Sequence, residues 1–172
     1  TDKRLYANGH FKITPGEPRI IGHELMGEIV DLQWQGGGFH LGERVTFAPN
    51  VGCGVCKMCR KGYTQLCEQF DAFGFSMDGG FAQYMAVPEV AFRQGNVFHV
   101  PDELSTDEGA MVEICSCAYR GLNACNLQAG ETLLIIGGGT VTYLMCGFGR
   151  AMGASKILVS VIDDGWGELA KR

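Results

Sequence analysis

Four cysteines crowd one short stretch: Cys53-Gly-Val-Cys56-Lys-Met-Cys59-Arg-Lys-Gly-Tyr-Thr-Gln-Leu-Cys67. The two-residue gaps turn neighbouring thiolates inward on a tight loop. The seven-residue gap lets the chain return and complete a tetrahedron. Four thiolates at this spacing suit Zn²⁺, which takes cysteine ligands in closed, four-coordinate structural sites. A site with no vacancy holds a fold together and does no chemistry. One alternative is four unrelated cysteines. Another is an iron–sulfur cluster, whose bacterial motif also opens C-x2-C-x2-C but continues through a three-residue gap to Cys-Pro. Here the fourth cysteine comes after seven residues and Glu68 follows it, which favours zinc.

Three other places carry reactive groups. His23-Glu24 follows an apolar pair and a glycine; imidazole is a good zinc ligand, and a carboxylate beside it serves as ligand or supports one. Glu113 stands among Ala110, Met111, Val112 and Ile114. A carboxylate buried there must be paired or metal-bound, because burial alone is costly; a solvent-facing position is the plainer reading. Gly137-Gly-Gly-Thr-Val-Thr142 places G-x-G after an apolar run and before a helical one. Glycines let backbone approach a pyrophosphate, and a helix N-terminus offers unpaired N–H groups. An ordinary strand-to-helix turn would look similar. His10, His40 and His99 show no usable partner spacing.

Composition limits the function classes. Apolar residues make up 46% and charged residues 19%, a globular balance. A net charge of −5 argues against nucleic acid as partner, since phosphate binding needs a basic surface. No apolar run reaches the length of a membrane span, and no basic-then-apolar leader opens the chain. Eight cysteines, four of them clustered, fit a reducing compartment, so a cytoplasmic location is expected.

The elements that must position these groups change character near Ser105. Residues 1–18 are polar and turn-rich. Short strands are expected over 27–32, 41–47, 81–87 and 97–100, separated by glycine turns, as in a small antiparallel barrel or sandwich. Ser105-Thr-Asp-Glu108 matches a capping box and opens a helix running from about Thr106 to Cys125. Thr132–Ile136 reads as a buried strand, followed by the glycine turn, a helix to about Met152 and a second strand at Lys156–Ser160. That order is a βαβ unit of the parallel type.

Gly22-His-Glu24, Gly42-Glu-Arg-Val45, the C-x2-C-x2-C-x7-C loop, Asp78-Gly-Gly-Phe-Ala-Gln-Tyr84 and the later glycine turn resemble, in this order, the zinc-dependent medium-chain alcohol dehydrogenases. Glu113 makes the polyol (sorbitol) and threonine dehydrogenase branch the most similar. The resemblance implies a mixed β and α/β fold: a partial GroES-like β-barrel domain over residues 1–105, with a structural zinc lobe, then the first βαβ unit of an NAD(P)-binding Rossmann domain over 106–172. It implies truncation at both ends, because family members place Cys-Gly before the Thr1-Asp2 motif and continue the sheet beyond two strands.

The same resemblance assigns roles. His23, Glu24 and Glu113 would hold a catalytic zinc if the ligand set is completed by the cysteine that family members carry before the Thr1-Asp2 motif. Cys53, Cys56, Cys59 and Cys67 would hold the structural zinc. Thr1 would relay the substrate proton, and Asp2 would orient His23. Gly137, Gly139, Thr140 and Val141 would lie at the pyrophosphate of NAD or NADP. The reaction would be zinc-assisted oxidation of a small-molecule alcohol or polyol, with hydride passing to the nicotinamide; the full-length form would be a homo-oligomer. The cofactor end departs from the family pattern. Thr142 replaces the third glycine, where overpacking would cost about 1–3 kcal/mol. Val161 stands where an acid binds ribose, with Asp163 two residues on. No arginine before Arg172 offers a 2′-phosphate site. Gly147 and Gly149 sit inside the helix. A chain that has lost its cofactor site and serves as a zinc-binding module is the alternative.

Overall fold

The computed structural model describes residues 1–13 and 16–162; Asp163 and Arg172 lie outside the described residues. The chain divides into two compact units between Glu113 and Ile114.

The first unit begins with a helix, α1 (Asp2–Asn8), not with the expected turns. Thr1 O accepts from the N–H groups of Arg4 and Leu5, and Leu5 is the one buried residue of the helix. A seven-residue helix with one apolar anchor shows no readable periodicity. Strands β1 (Met26–Glu28), β2 (Arg44–Phe47) and β5 (Val97–His99) form an antiparallel sheet in the order β1-β2-β5. Strands β3 (Asn50–Val51) and β4 (Asp71–Ala72) pair separately. No closed barrel occurs among the described residues. The core behind these strands joins Ile29, Val45, Phe47, Val51, Phe73, Ala91 and Val97. Helix α2 (Lys57–Arg60) and a 3₁₀ turn (Thr64–Leu66) lie within the cysteine loop, and α3 (Glu89–Arg93) precedes β5.

The expected strand over 81–87 is absent, and the expected strands over 27–32 and 41–47 are shorter than read. The physical reason for the first is a backbone crossing. Gly79, Gly80 and Phe81 donate to the carbonyls of Ile20, Gly22 and Ile21 rather than to a strand neighbour. A Cβ on Gly79 would stand 2.1 Å from Gly22 O, and one on Gly74 would stand 2.9 Å from it. Only glycine permits that approach.

The capping box forms as read: Ser105 Oγ accepts from Glu108 N–H, and the Glu108 carboxylate accepts from Ser105 N–H. The expected single helix from Thr106 is instead two, α4 (Thr106–Ala110) and α5 (Val112–Ala124), broken at Met111. The break sets Glu113 in the first turn of α5.

In the second unit, β6 (Thr132–Ile136) and β7 (Lys156–Ser160) pair in parallel, joined by α6 (Thr140–Ala151). Leu122, Leu133, Ile135 and Cys146 form its core. Gly149 is not merely a weak point in α6. A Cβ there would stand 2.7 Å from Leu133 Cδ2, so the helix and sheet make their close approach at this glycine. Gly147 meets nothing within 4 Å.

Candidate metal centre and cofactor turn

Gly22 stands at positive φ (101°) just before His23, and the Gly79 crossing holds that backbone from the other side. Thr46, buried on β2, donates from Oγ1 to Leu25 O at 2.8 Å and ties down the far end of the loop. His23 is thus held between two anchors and is buried, at 8% exposure. Its Nδ1 lies 3.4 Å from Asp2 Oδ1, and neither atom makes a hydrogen bond of good geometry. Nδ1 facing a carboxylate leaves Nε2 as the nitrogen for a ligand, the arrangement that fixes tautomer and ring direction in metal-bound imidazoles.

His23, Glu24 and Glu113 each bring one ligand atom within 4.8 Å of the others. Glu24 is exposed and Glu113 half-buried, so the group is open on one side. One nitrogen and two carboxylate oxygens at that separation match the N/O ligand chemistry of zinc. The buried His23 Nδ1 and Asp2 Oδ1, each without another partner, face each other and would be drawn together by a cation on Nε2. Glu113 is half-buried, with a carboxylate oxygen within 4.8 Å of the His23 and Glu24 ligand atoms.

The four cysteines also converge, with their sulfur atoms within 4.8 Å of one another. Cys53 and Cys59 Sγ are 4.0 Å apart; Cys67 Sγ accepts from Cys53 N–H and Cys56 Sγ from Cys59 N–H, each at 3.4 Å. Backbone N–H groups of Val55 and Cys56 lower the Cys53 thiol to about 6, whereas lost hydration raises Cys59 to about 11. Sulfurs packed this closely cannot all ionise without a cation between them. A Cβ on Gly52 would lie 2.5 Å from Cys59 Sγ, so that glycine makes room for the cluster. No disulfide forms among the eight cysteines.

The glycine turn joins β6 to α6. Gly137 (φ 138°) and Gly139 (φ 108°) both take conformations that favour glycine, and Gly137 N–H donates to Ser160 O at 2.9 Å. No side chain caps α6, so its first N–H groups are unclaimed by a capping group. Thr140 and Val141 begin the helix on its exposed surface, while Thr142 is buried. The turn has the open glycine surface and the donors that a phosphate needs.

A cavity of about 920 Å³ lies against α1 and Phe75. Its walls do not include the three zinc-type ligands, but the Phe75 ring centroid is 5.1 Å from that of His23. Sequence reading missed the Gly22–Gly74–Gly79 crossing and Thr46, although the glycines themselves were visible. It also missed Glu43, whose carboxylate lies 2.9 Å from His40 Nδ1 and 3.6 Å from His99 Nδ1.

Residues 1–102 match the alcohol dehydrogenase GroES-like domain. The chain belongs to the zinc-dependent medium-chain alcohol dehydrogenase family. Within this dehydrogenase family, it is 33% identical over 155 residues to an L-threonine 3-dehydrogenase of Shewanella woodyi, a match covering 90% of this chain and 44% of that protein. It is similar in structure to a protein described as a zinc-binding dehydrogenase from Sinorhizobium meliloti 1021 bound to NADP (TM-score 0.85, 31% identity, 99% of this chain and 47% of that one). Galactitol-1-phosphate dehydrogenase of Escherichia coli is also similar (TM-score 0.82, 28% identity, 92% and 44%). The chain spans less than half the length of these relatives. No helix among the described residues is long and apolar enough to cross a membrane.

Proposed function

We propose that the chain carries the zinc-binding part and the cofactor turn of an oxidoreductase that moves hydride between an alcohol or polyol carbon and NAD or NADP. The observation that carries this reading is the convergence of His23, Glu24 and Glu113 beside Asp2, apart from the four cysteines. Residues 1–105 serve as the catalytic domain and 106–172 as the start of the nucleotide domain.

His23, Glu24 and Glu113 hold the catalytic zinc; Cys53, Cys56, Cys59 and Cys67 hold the structural one. When bound, zinc supplies Lewis-acid activation of an alcohol oxygen and the nicotinamide supplies a hydride acceptor. Asp2 orients the His23 imidazole. Thr1 offers a hydroxyl that takes and passes the substrate proton. The Gly137–Gly139 turn, with Thr140 and Val141, receives the pyrophosphate on backbone N–H groups.

The reading is tested by titrating the zinc-loaded chain with NAD and NADP. Micromolar binding of either, lost in Gly139→Val, supports it. The second reading, a zinc-binding module without a cofactor site, has Thr142 and Val161 as its support. It predicts no binding of either nucleotide together with full zinc uptake.

A further inference from the structure

Thr1, Arg4, Leu5 and Asn8 all line the cavity beside α1. Their spacing of i, i+3, i+4 and i+7 is one helical face. Leu5 is its buried apolar anchor, while the other three bring a hydroxyl, a guanidinium and an amide. The lining also includes Glu17 and Phe75. Among the described residues, no ion pair involves Arg4 or Glu17. Two opposite charges therefore address the same space without neutralising each other. Asp2, on the same helix, faces His23 instead, so α1 presents its first carboxylate to the metal group and its guanidinium to the cavity. Phe75 is the link between the two: it lines the cavity and its ring centroid stands 5.1 Å from that of His23.

We infer that Arg4 is a specificity-determining residue that selects a hydroxylated anion, a carboxylate or phosphate monoester, over an uncharged alcohol. This rests on the dehydrogenase reading above and names the substrate class of the same site. The Arg4 fork pairs with the anion in a charge-assisted hydrogen bond. Glu17 and Asn8 accept from hydroxyl groups along the ligand, which places the chain of the substrate across the cavity and its reacting end toward Phe75 and the metal group.

The test is calorimetric titration of the zinc-loaded chain with glycerol 3-phosphate, glycerate and uncharged glycerol. At least one anion binds about tenfold or more tightly than glycerol, the discrimination expected of a charge-assisted contact. Which anion binds more tightly identifies phosphate or carboxylate as the group recognised. Arg4→Gln removes the preference without weakening glycerol, and Arg4→Lys restores part of it. Arg4 is exposed, so neither variant disturbs the core. The inference is overturned if glycerol binds as well as both anions. It is overturned equally if Arg4→Gln keeps the anion preference, because the anion is then held elsewhere, the metal included. Zinc content and nucleotide binding on the same samples test the dehydrogenase reading separately. Normal values there without an anion preference refute the Arg4 assignment alone.

Discussion

His23 Nδ1 lies 3.4 Å from Asp2 Oδ1, a contact between a buried loop and a short helix that ties the metal group to the cavity wall. The pair is too long for a good hydrogen bond, and both atoms are buried without another partner. A cation held by His23 would polarise the imidazole and strengthen Nδ1–H as a donor to Asp2. Asp2→Asn keeps the shape and removes the charge. We expect it to weaken zinc at His23 by roughly 10–100-fold, the usual effect of losing a partner behind a ligand. Competition with a chromophoric chelator measures this, and zinc at the cysteines should be unchanged.

The glycine crossing makes a different prediction. Gly79→Ala forces a methyl to within 2.1 Å of Gly22 O unless the backbone moves. We expect a loss of about 1–3 kcal/mol from overpacking, with weaker zinc at His23 because its loop shifts. Urea unfolding and zinc affinity together check it. Gly147→Ala is the control: it meets nothing within 4 Å and should raise stability by up to about 1 kcal/mol.

Cys59→Ser should abolish the tight zinc of the loop and expose it. The sulfur packs against the Gly52 backbone and Cys53, so its loss removes both a ligand and a contact. Hydrogen exchange across residues 50–72 should rise sharply, while β6 and β7 keep their protection.

The capping box sets an acid limit on α4. Bonds from the Ser105 N–H and hydroxyl hold the Glu108 carboxyl below its ordinary value of 4.5. A carboxyl lowered in the folded state stabilises the fold above its unfolded value, and that contribution disappears as pH falls below about 4.5 through the lowered value. Amide exchange in residues 106–110 should therefore speed up on acidification in that window. Glu108→Gln should remove this part of the dependence.

Strands written as short apolar runs between turns were legible in the sequence. Thr132–Ile136 and Lys156–Ser160 have the bounds their composition predicts, but they are not the fully buried strands expected: Leu133 and Ile135 are buried, while Leu134, Ile136 and Leu158 are exposed. The cysteine cluster was legible because its chemistry depends on local spacing. The rest depends on contacts distant in sequence. Gly22 and Gly79 meet through backbone atoms that leave no side-chain signature. Phe81 to Val87 alternates like a strand, yet Phe81 and the two glycines before it bond to the loop that carries His23. The charge partner of Glu43 was invisible for the same reason: His99 joins it only because β5 lies beside β2.

The most direct test of the account is zinc stoichiometry at equilibrium in the wild-type chain, His23→Ala and Cys59→Ser. The account predicts two zinc ions in the wild type, one held more tightly than the other. His23→Ala should lose the weaker ion and keep the tighter, and Cys59→Ser should do the reverse. A wild-type chain with a single zinc that His23→Ala leaves untouched would contradict it.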